Sequence, residues 1–380
     1  MNFRRLLLFG CVSIFGVTSL CHGEPPPFRT DGGDEKLPWH QLEPGKFPPA
    51  GSAHYFSGEL IKVDHLERSF VLRVDRTDQQ NRSHFDLPVE AAMLPYGSVH
   101  YHGALAALRD VPIGTHLHGW SYLKDPADTS KPLEIFHNRR SYEVDFKRCL
   151  RLEDDFTHDV QRSRVWRIDG VDLETKKLSA TAVVEGKPAG EARDFDLLAS
   201  TRVWKGRGFS ELREIQAGQE VLLNLTWATL YGPGRVTEVW LDGESRQLAT
   251  EHQQARHRDH IRQRGVPGWV DEVDNKQRIL TITLFGNVDP DLLSELTVGD
   301  QAGVAVAMEN LLPFDPVNDR KRGPILEVAQ ISREVGSSGV RIRVQPDLLL
   351  EGYRPRRIVR VFPSAWPVIA LPKEEELFGR

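Results

Sequence analysis

Four histidines in one short stretch carry the clearest chemical spacing in this chain. His100-Tyr101-His102 and His116-Leu117-His118 each place two imidazoles at i and i+2. On a β-strand those positions share a face, so each pair can converge on one point. Neutral imidazoles in that geometry bind zinc or copper once neighbouring groups fix their tautomers. Glu90, Asp110 or Asp125 would supply a carboxylate. The plainer alternative is histidines on an exposed strand face, or satisfied one by one by backbone carbonyls.

Two basic groups follow. Arg341 and Arg343 fall on one strand face, and Arg354, Arg356, Arg357 and Arg360 come after them. Such a patch suits phosphate, sulfate or carboxylate groups on a polymer, or a solubilising edge that blocks strand pairing. His252, Arg256 and His260 lie at i, i+4 and i+8, joined by His257 and Arg264. That stripe reads either as a contact for an anionic polymer or as the solvated face of a connector. The sequence has no G-x-x-x-x-G-K-[ST], H-E-x-x-H, C-x-x-C or G-x-S-x-G, and no catalytic residue is assigned.

The elements that must position these residues occur in repeated form. Leu60-x-x-Val63-Asp64 is followed by Phe70-x-Leu72-x-Val74. Ile168-x-x-Val171-Asp172 and Val270-x-x-Val273-Asp274 are followed, after the same gap, by Leu178-x-Ala180-x-Ala182 and Leu280-x-Ile282-x-Leu284. Each is a strand, a polar turn carrying an Asp, and a second strand with one buried face. Phe85-Asp86-Leu87 and Phe195-Asp196-Leu197 predict third strands. Leu105-x-x-Leu108-x-x-Val111-x-x-Gly114 matches Phe209-x-x-Leu212-x-x-Ile215-x-x-Gly218, a short helical turn stopped by glycine. Strand candidates then fall at 115–122, 220–227 and 302–308, with final strands at 133–136, 236–241 and 325–331.

That order predicts a mainly β protein of three tandem five-stranded OB-like barrels joined by helical connectors. The third copy is abbreviated, and the strands after Gly336 either complete it or form a separate hairpin. The second copy is an internal control. It carries Trp204, Gly206, Glu220 and Leu222 where the first carries the four histidines, so the barrel does not need them to fold.

From Gly58-x-Leu60-x-x-Val63-Asp64 through the 105–117 motif, the chain resembles bacterial exported small-barrel domains of unknown function. The likeness covers most of 58–331 and implies the fold alone.

The predicted organisation is a signal peptide at 1–23, a proline-rich tether at 24–57 and a first barrel at 58–140. A helical connector follows at 141–164, then a second barrel at 165–243, a polar helical connector at 244–264, and a third barrel with C-terminal strands at 265–380. Arg4 and Arg5, an apolar run over 6–20 and Cys21-His22-Gly23 have the order of a secretory signal, so export to a periplasmic or extracellular space is expected. Cleavage near Gly23 takes the formal charge from −5 to −7 by removing Arg4 and Arg5, and leaves Cys149 as the one cysteine, without a disulfide partner.

An acidic chain is a poor general nucleic-acid binder, and no later stretch is apolar enough for a transmembrane helix. The expected role is non-enzymatic binding or scaffolding of an envelope polymer, a glycan or a protein partner. The alternatives are a metal-binding protein or metal-dependent enzyme built on the histidines, and a structural envelope component. No cofactor is expected other than zinc or copper.

Overall fold

Each repeat opens with a hairpin closed by its own aspartate. In the computed structural model β1 (His54–Asp64) pairs antiparallel with β2 (Ser69–Val74). Asp64 Oδ1 accepts from the backbone N–H groups of Leu66 and Glu67, at 3.0 and 3.1 Å. Asp172 does the same between β7 (Arg164–Asp172) and β8 (Lys177–Val184), and Asp274 between β14 (Val266–Asp274) and β15 (Ile279–Phe285). The chain leaves these turns through left-handed residues, Arg68, Lys176 and Arg278. The recurring Asp is thus turn chemistry, a carboxylate that caps backbone donors.

The structure describes residues 28–75, 88–122, 148–226, 234–313, 320–367, 371–372 and 375. The signal segment and the strand candidates at 85–87 and 133–136 lie outside them.

The first barrel adds β3 (Pro88–Tyr101), the hairpin strand β4 (Ala104–Ala106), β5 (His116–Tyr122) and β6 (Arg148–Asp154). It closes in the order β1-β2-β3-β6-β5, with β3 and β6 parallel. The second adds β9 (Lys187–Pro188), β10 (Arg193–Lys205), β11 (Gly208–Ser210), β12 (Glu220–Thr226) and β13 (Gly234–Trp240). It repeats the order, with β10 and β13 parallel. Leu60, Phe70, Leu72, Leu117 and Leu152 fill the first interior, and Ile168, Leu178, Phe195 and Val236 the second. Each such buried side chain is worth roughly 1.5–3 kcal/mol.

Three elements differ from the sequence reading. Residues 148–154, assigned to the helical connector 141–164, are the fifth strand of the first barrel. Helix α1 (Asp155–Gln161) is only 7 residues long. Cys149 and Leu152 both enter the core because Leu150 is skipped in the pairing of β5 with β6. A β-bulge of this kind gives a strand the three-residue spacing of a helix.

The third barrel has six strands, β14, β15, β16 (Gln301–Val306), β17 (Arg320–Gln330), β18 (Ser337–Val344) and β19 (Ile358–Pro363). They close as β14-β15-β18-β17-β16-β19, all antiparallel. Here β18 occupies the place that the missing Phe-Asp-Leu strand would otherwise take, between β15 and β17, and β19 is an added strand between β16 and β14.

The proline-rich tether is docked along its described part. Phe47 stacks on Trp269 at 4.3 Å between ring centres, and Asp31 accepts from the Tyr55 N–H at 2.6 Å.

Helix α2 (Gly243–Arg264) lies where the polar connector was expected, and α3 (Pro290–Leu293) is a single turn. Among the described residues no helix is long and apolar enough to cross a membrane.

Candidate functional site

Two aspartates at the ends of the first two barrels organise the histidines. Asp154 N-caps α1 by accepting from Thr157 N–H at 3.0 Å, and Asp242 N-caps α2 by accepting from Ser245 N–H at 2.8 Å. Each also accepts a backbone N–H from the preceding hairpin, His102 N–H to Asp154 (3.1 Å) and Gly206 N–H to Asp242 (2.8 Å). His102 and Gly206 are both left-handed, with φ of 51° and 54°. That backbone suits glycine, and His102 adopts it with its N–H held by a carboxylate.

On β5 the core-facing residue is Leu117, so His116 and His118 point outward towards α1 and the second barrel. Asp155, the first residue of α1, meets both. His116 Nδ1 donates to Asp155 Oδ1 at 2.8 Å, and His116 Nε2 donates to Asp75 Oδ2 at 2.7 Å. His118 Nε2 donates to the same Asp155 oxygen at 2.9 Å, while the Tyr55 hydroxyl donates to His118 Nδ1 at 2.7 Å. Asp155 Oδ2 accepts from Leu225 N–H of β12 at 2.9 Å. The His158 ring stacks on His118 with centres 3.6 Å apart.

Burial opposes charge on His116, yet Asp155 and Asp75 outweigh it and hold the imidazole well above its usual value of 6.5. Burial likewise opposes charge on Asp155, and the His116 cation and both imidazole N–H donors bring its carboxyl far below the ordinary range. His118 is shifted down, first by burial. The seam therefore holds an imidazolium between two carboxylates, beside a neutral imidazole.

Ligand-type atoms of His116, His118 and Asp155 all lie within 4.8 Å of one another. Three protein ligands with a further open position is the donor pattern of a reactive zinc site. A metal there must first displace the protons that His116 and His118 now donate.

His100 and His102 do not join this group. His102 Nε2 donates to Glu238 Oε2 of β13 at 3.1 Å, and its ring stacks on Tyr101 at 3.8 Å. Glu238 also accepts from Arg202, Trp204 and Asn224. His100 bonds Ser98 Oγ at 3.2 Å, and burial pushes its imidazole down to about 3. The turn at His102 rotates its ring away from the β3 face that carries His100.

The carboxylates also differ from those expected. Asp110 serves Gln253 and Arg256 of α2, Asp125 lies outside the described residues, and Asp155 and Asp75 take the role. The adjacent pair Asp154-Asp155 at the start of a helical run is the sequence signal that would have pointed to Asp155, and no local signal marks Asp75.

The six arginines are dispersed. Arg341 pairs with Asp271 at 3.1 Å and Arg343 with Glu327 at 3.4 Å, both on the outer face of the third barrel. Arg354 pairs with Glu351 at 2.6 Å. Arg356 and Arg357 line a cleft between the first and third barrels. Arg360 is buried and donates to the carbonyls of Leu311 and Gly265.

Cys149 is fully buried, and burial pushes its thiol up to about 12, which makes it an inert core group. No protein-family model and no curated protein matches this sequence.

Proposed function

We propose that the chain is an exported, non-enzymatic binding protein whose ligand, a segment of a hydroxyl-rich envelope glycan, lies between the first and third barrels. The observation that carries this reading is a cleft of about 860 Å³ there. Glu43, Lys46, Arg148, Glu309, Arg356 and Arg357 contribute charges of both signs to its walls, with Tyr96 and Trp269 behind them. Sugar hydroxyls both donate and accept, so they suit such a lining better than a polyanion does. The apolar leader in residues 1–23 supports export.

The test is a glycan and polyanion binding screen on the mature chain at two salt concentrations. A glycan hit that keeps its affinity at high salt, and falls about tenfold or more in an Arg356→Ser/Arg357→Ser variant, supports the reading. That loss corresponds to about 1.4 kcal/mol, one or two hydrogen bonds. A hit that collapses with salt reassigns the ligand to a polyanion, and no hit at all overturns the reading.

The second reading, a metal site at His116, His118 and Asp155, rests on their common approach within 4.8 Å. It ranks below the first because His116 already donates both N–H groups to carboxylates. Elemental analysis decides it. Purified protein without stoichiometric transition metal, melting identically before and after chelation, removes the metal site.

A further inference from the structure

We propose that a second, recessed site binds a small tetrahedral oxyanion, phosphate or sulfate, where the first barrel, α2 and the third barrel meet. A cavity of about 90 Å³ lies there. On this measure a water needs ~10–15 Å³, so the space accepts several waters or one five-atom oxyanion.

Its walls hold an excess of cations. Arg68, Arg109, Arg264 and Arg360 all line it, with Glu375 as the one carboxylate among the described residues. Arg264 and Glu375 form a bidentate pair at 2.7 and 2.5 Å, and Arg109 stands 3.8 Å from the same carboxylate. Arg360, 4% exposed, donates Nε and Nη1 to the carbonyls of Leu311 and Gly265 at 3.0 and 2.9 Å. Arg68 donates to the carbonyls of Leu94, Pro95 and Gly97. Carbonyls satisfy N–H groups but leave the charge uncompensated. Among the described residues no carboxylate pairs with Arg68 or Arg360, and a buried cation in that state is costly.

A separate observation points to the same place. His257 of α2 lines the cavity and is 3% exposed, yet neither ring nitrogen has a hydrogen-bond partner among the described residues. Buried polar atoms are seldom left so, and an oxyanion would accept from one of them.

Burial pushes the Arg68 guanidinium down to about 10. Burial and then the neighbouring Arg68 and Arg264 push Arg360 down to about 9, opposed only in part by Glu375, as expected where cations outnumber anions. The second barrel is again the control: Lys176 holds the turn position equivalent to Arg68 and is exposed. The hairpin therefore does not require a buried cation there.

The experiment is a thermal melt of the mature full-length protein titrated with sodium phosphate and, separately, sodium sulfate, with chloride holding ionic strength constant. A saturable rise in Tm at millimolar or lower anion is expected. Arg68→Met and Arg360→Met are expected to lose that anion-dependent rise, whatever their Tm in chloride alone. Glu375→Gln removes the internal competitor, so its phosphate-dependent rise should exceed that of the unsubstituted chain. An unsaturable response, an equal rise in the arginine variants, or a Glu375→Gln rise no larger than the parent's overturns the site.

Discussion

His116 ties the first barrel to α1 through Asp155, and its chemistry sets a pH signature. Its folded pKa lies well above 6.5. Its contribution to stability is therefore complete below about pH 6.5 and is lost as pH rises through the folded value. Asp155 and Asp75 are shifted below 3.8, in both cases because His116 outweighs the effect of burial. Their contribution is present above that value and is lost as pH falls through their folded values. Urea unfolding should accordingly show lower stability at pH 8.5 than at pH 6. His116→Gln should cost about 3–5 kcal/mol near pH 6, since it strands the buried Asp155 and the half-buried Asp75, and should not show the alkaline fall. A parent protein more stable at pH 8.5 than at pH 6 would contradict the pairing. The convergence of His116 and His118 was legible from their i, i+2 spacing. Their carboxylates were not, because Asp155 and Asp75 are 39 and 41 residues from His116.

At the scale of the element, the two barrel-to-helix junctions are copies of one device. The Asp at or just past the end of the last strand caps the next helix and also ties down the hairpin turn of its own barrel. For α2 this is Asp242, which holds Ser245 N–H and Gly206 N–H. Asp242→Ala should therefore lower stability by about 1–2 kcal/mol, read by urea unfolding, and an unchanged midpoint would show that the cap contributes nothing. Little on α2 itself is apolar. It is held by Gln253 and Arg256 on Asp110, Arg258 on Asp289 and Arg262 on Glu295. Its existence was legible from its length and its lack of breakers. By contrast β6 imitated a helix, because a bulge places Cys149 and Leu152 on one face.

For the molecule as a whole, the barrels are joined by buried polar groups. Glu238 of the second barrel collects His102 from the first, together with its own Arg202, Trp204 and Asn224. Asn224 in turn donates to Asp154 and accepts from Phe156 N–H. A His102→Ala/Glu238→Ala double-mutant cycle should give a coupling above about 1 kcal/mol. Strict additivity of the two substitutions would mean that the seam is incidental packing. The arginine excess and the unsatisfied His257 at the junction with the third barrel belong to this scale too, since neither exists until three elements distant in sequence come together.

The sequence alone determined the repeated hairpins, their aspartate turns and the count of three barrels, because each depends on residues near one another in the chain. Period-two alternation, glycine stops and Asx turns are short-range physics, and they survive without knowledge of neighbours. Tertiary structure decided how the third barrel closes, with Val266 on β14 opposite Val361 on β19. It also decided which histidines meet, and that Arg360 is buried in the junction while Arg341 and Arg343 stay on the outer wall. Those outcomes follow from burial and long-range pairing, where a residue's charge and hydrogen bonds are set by whatever the fold brings to it.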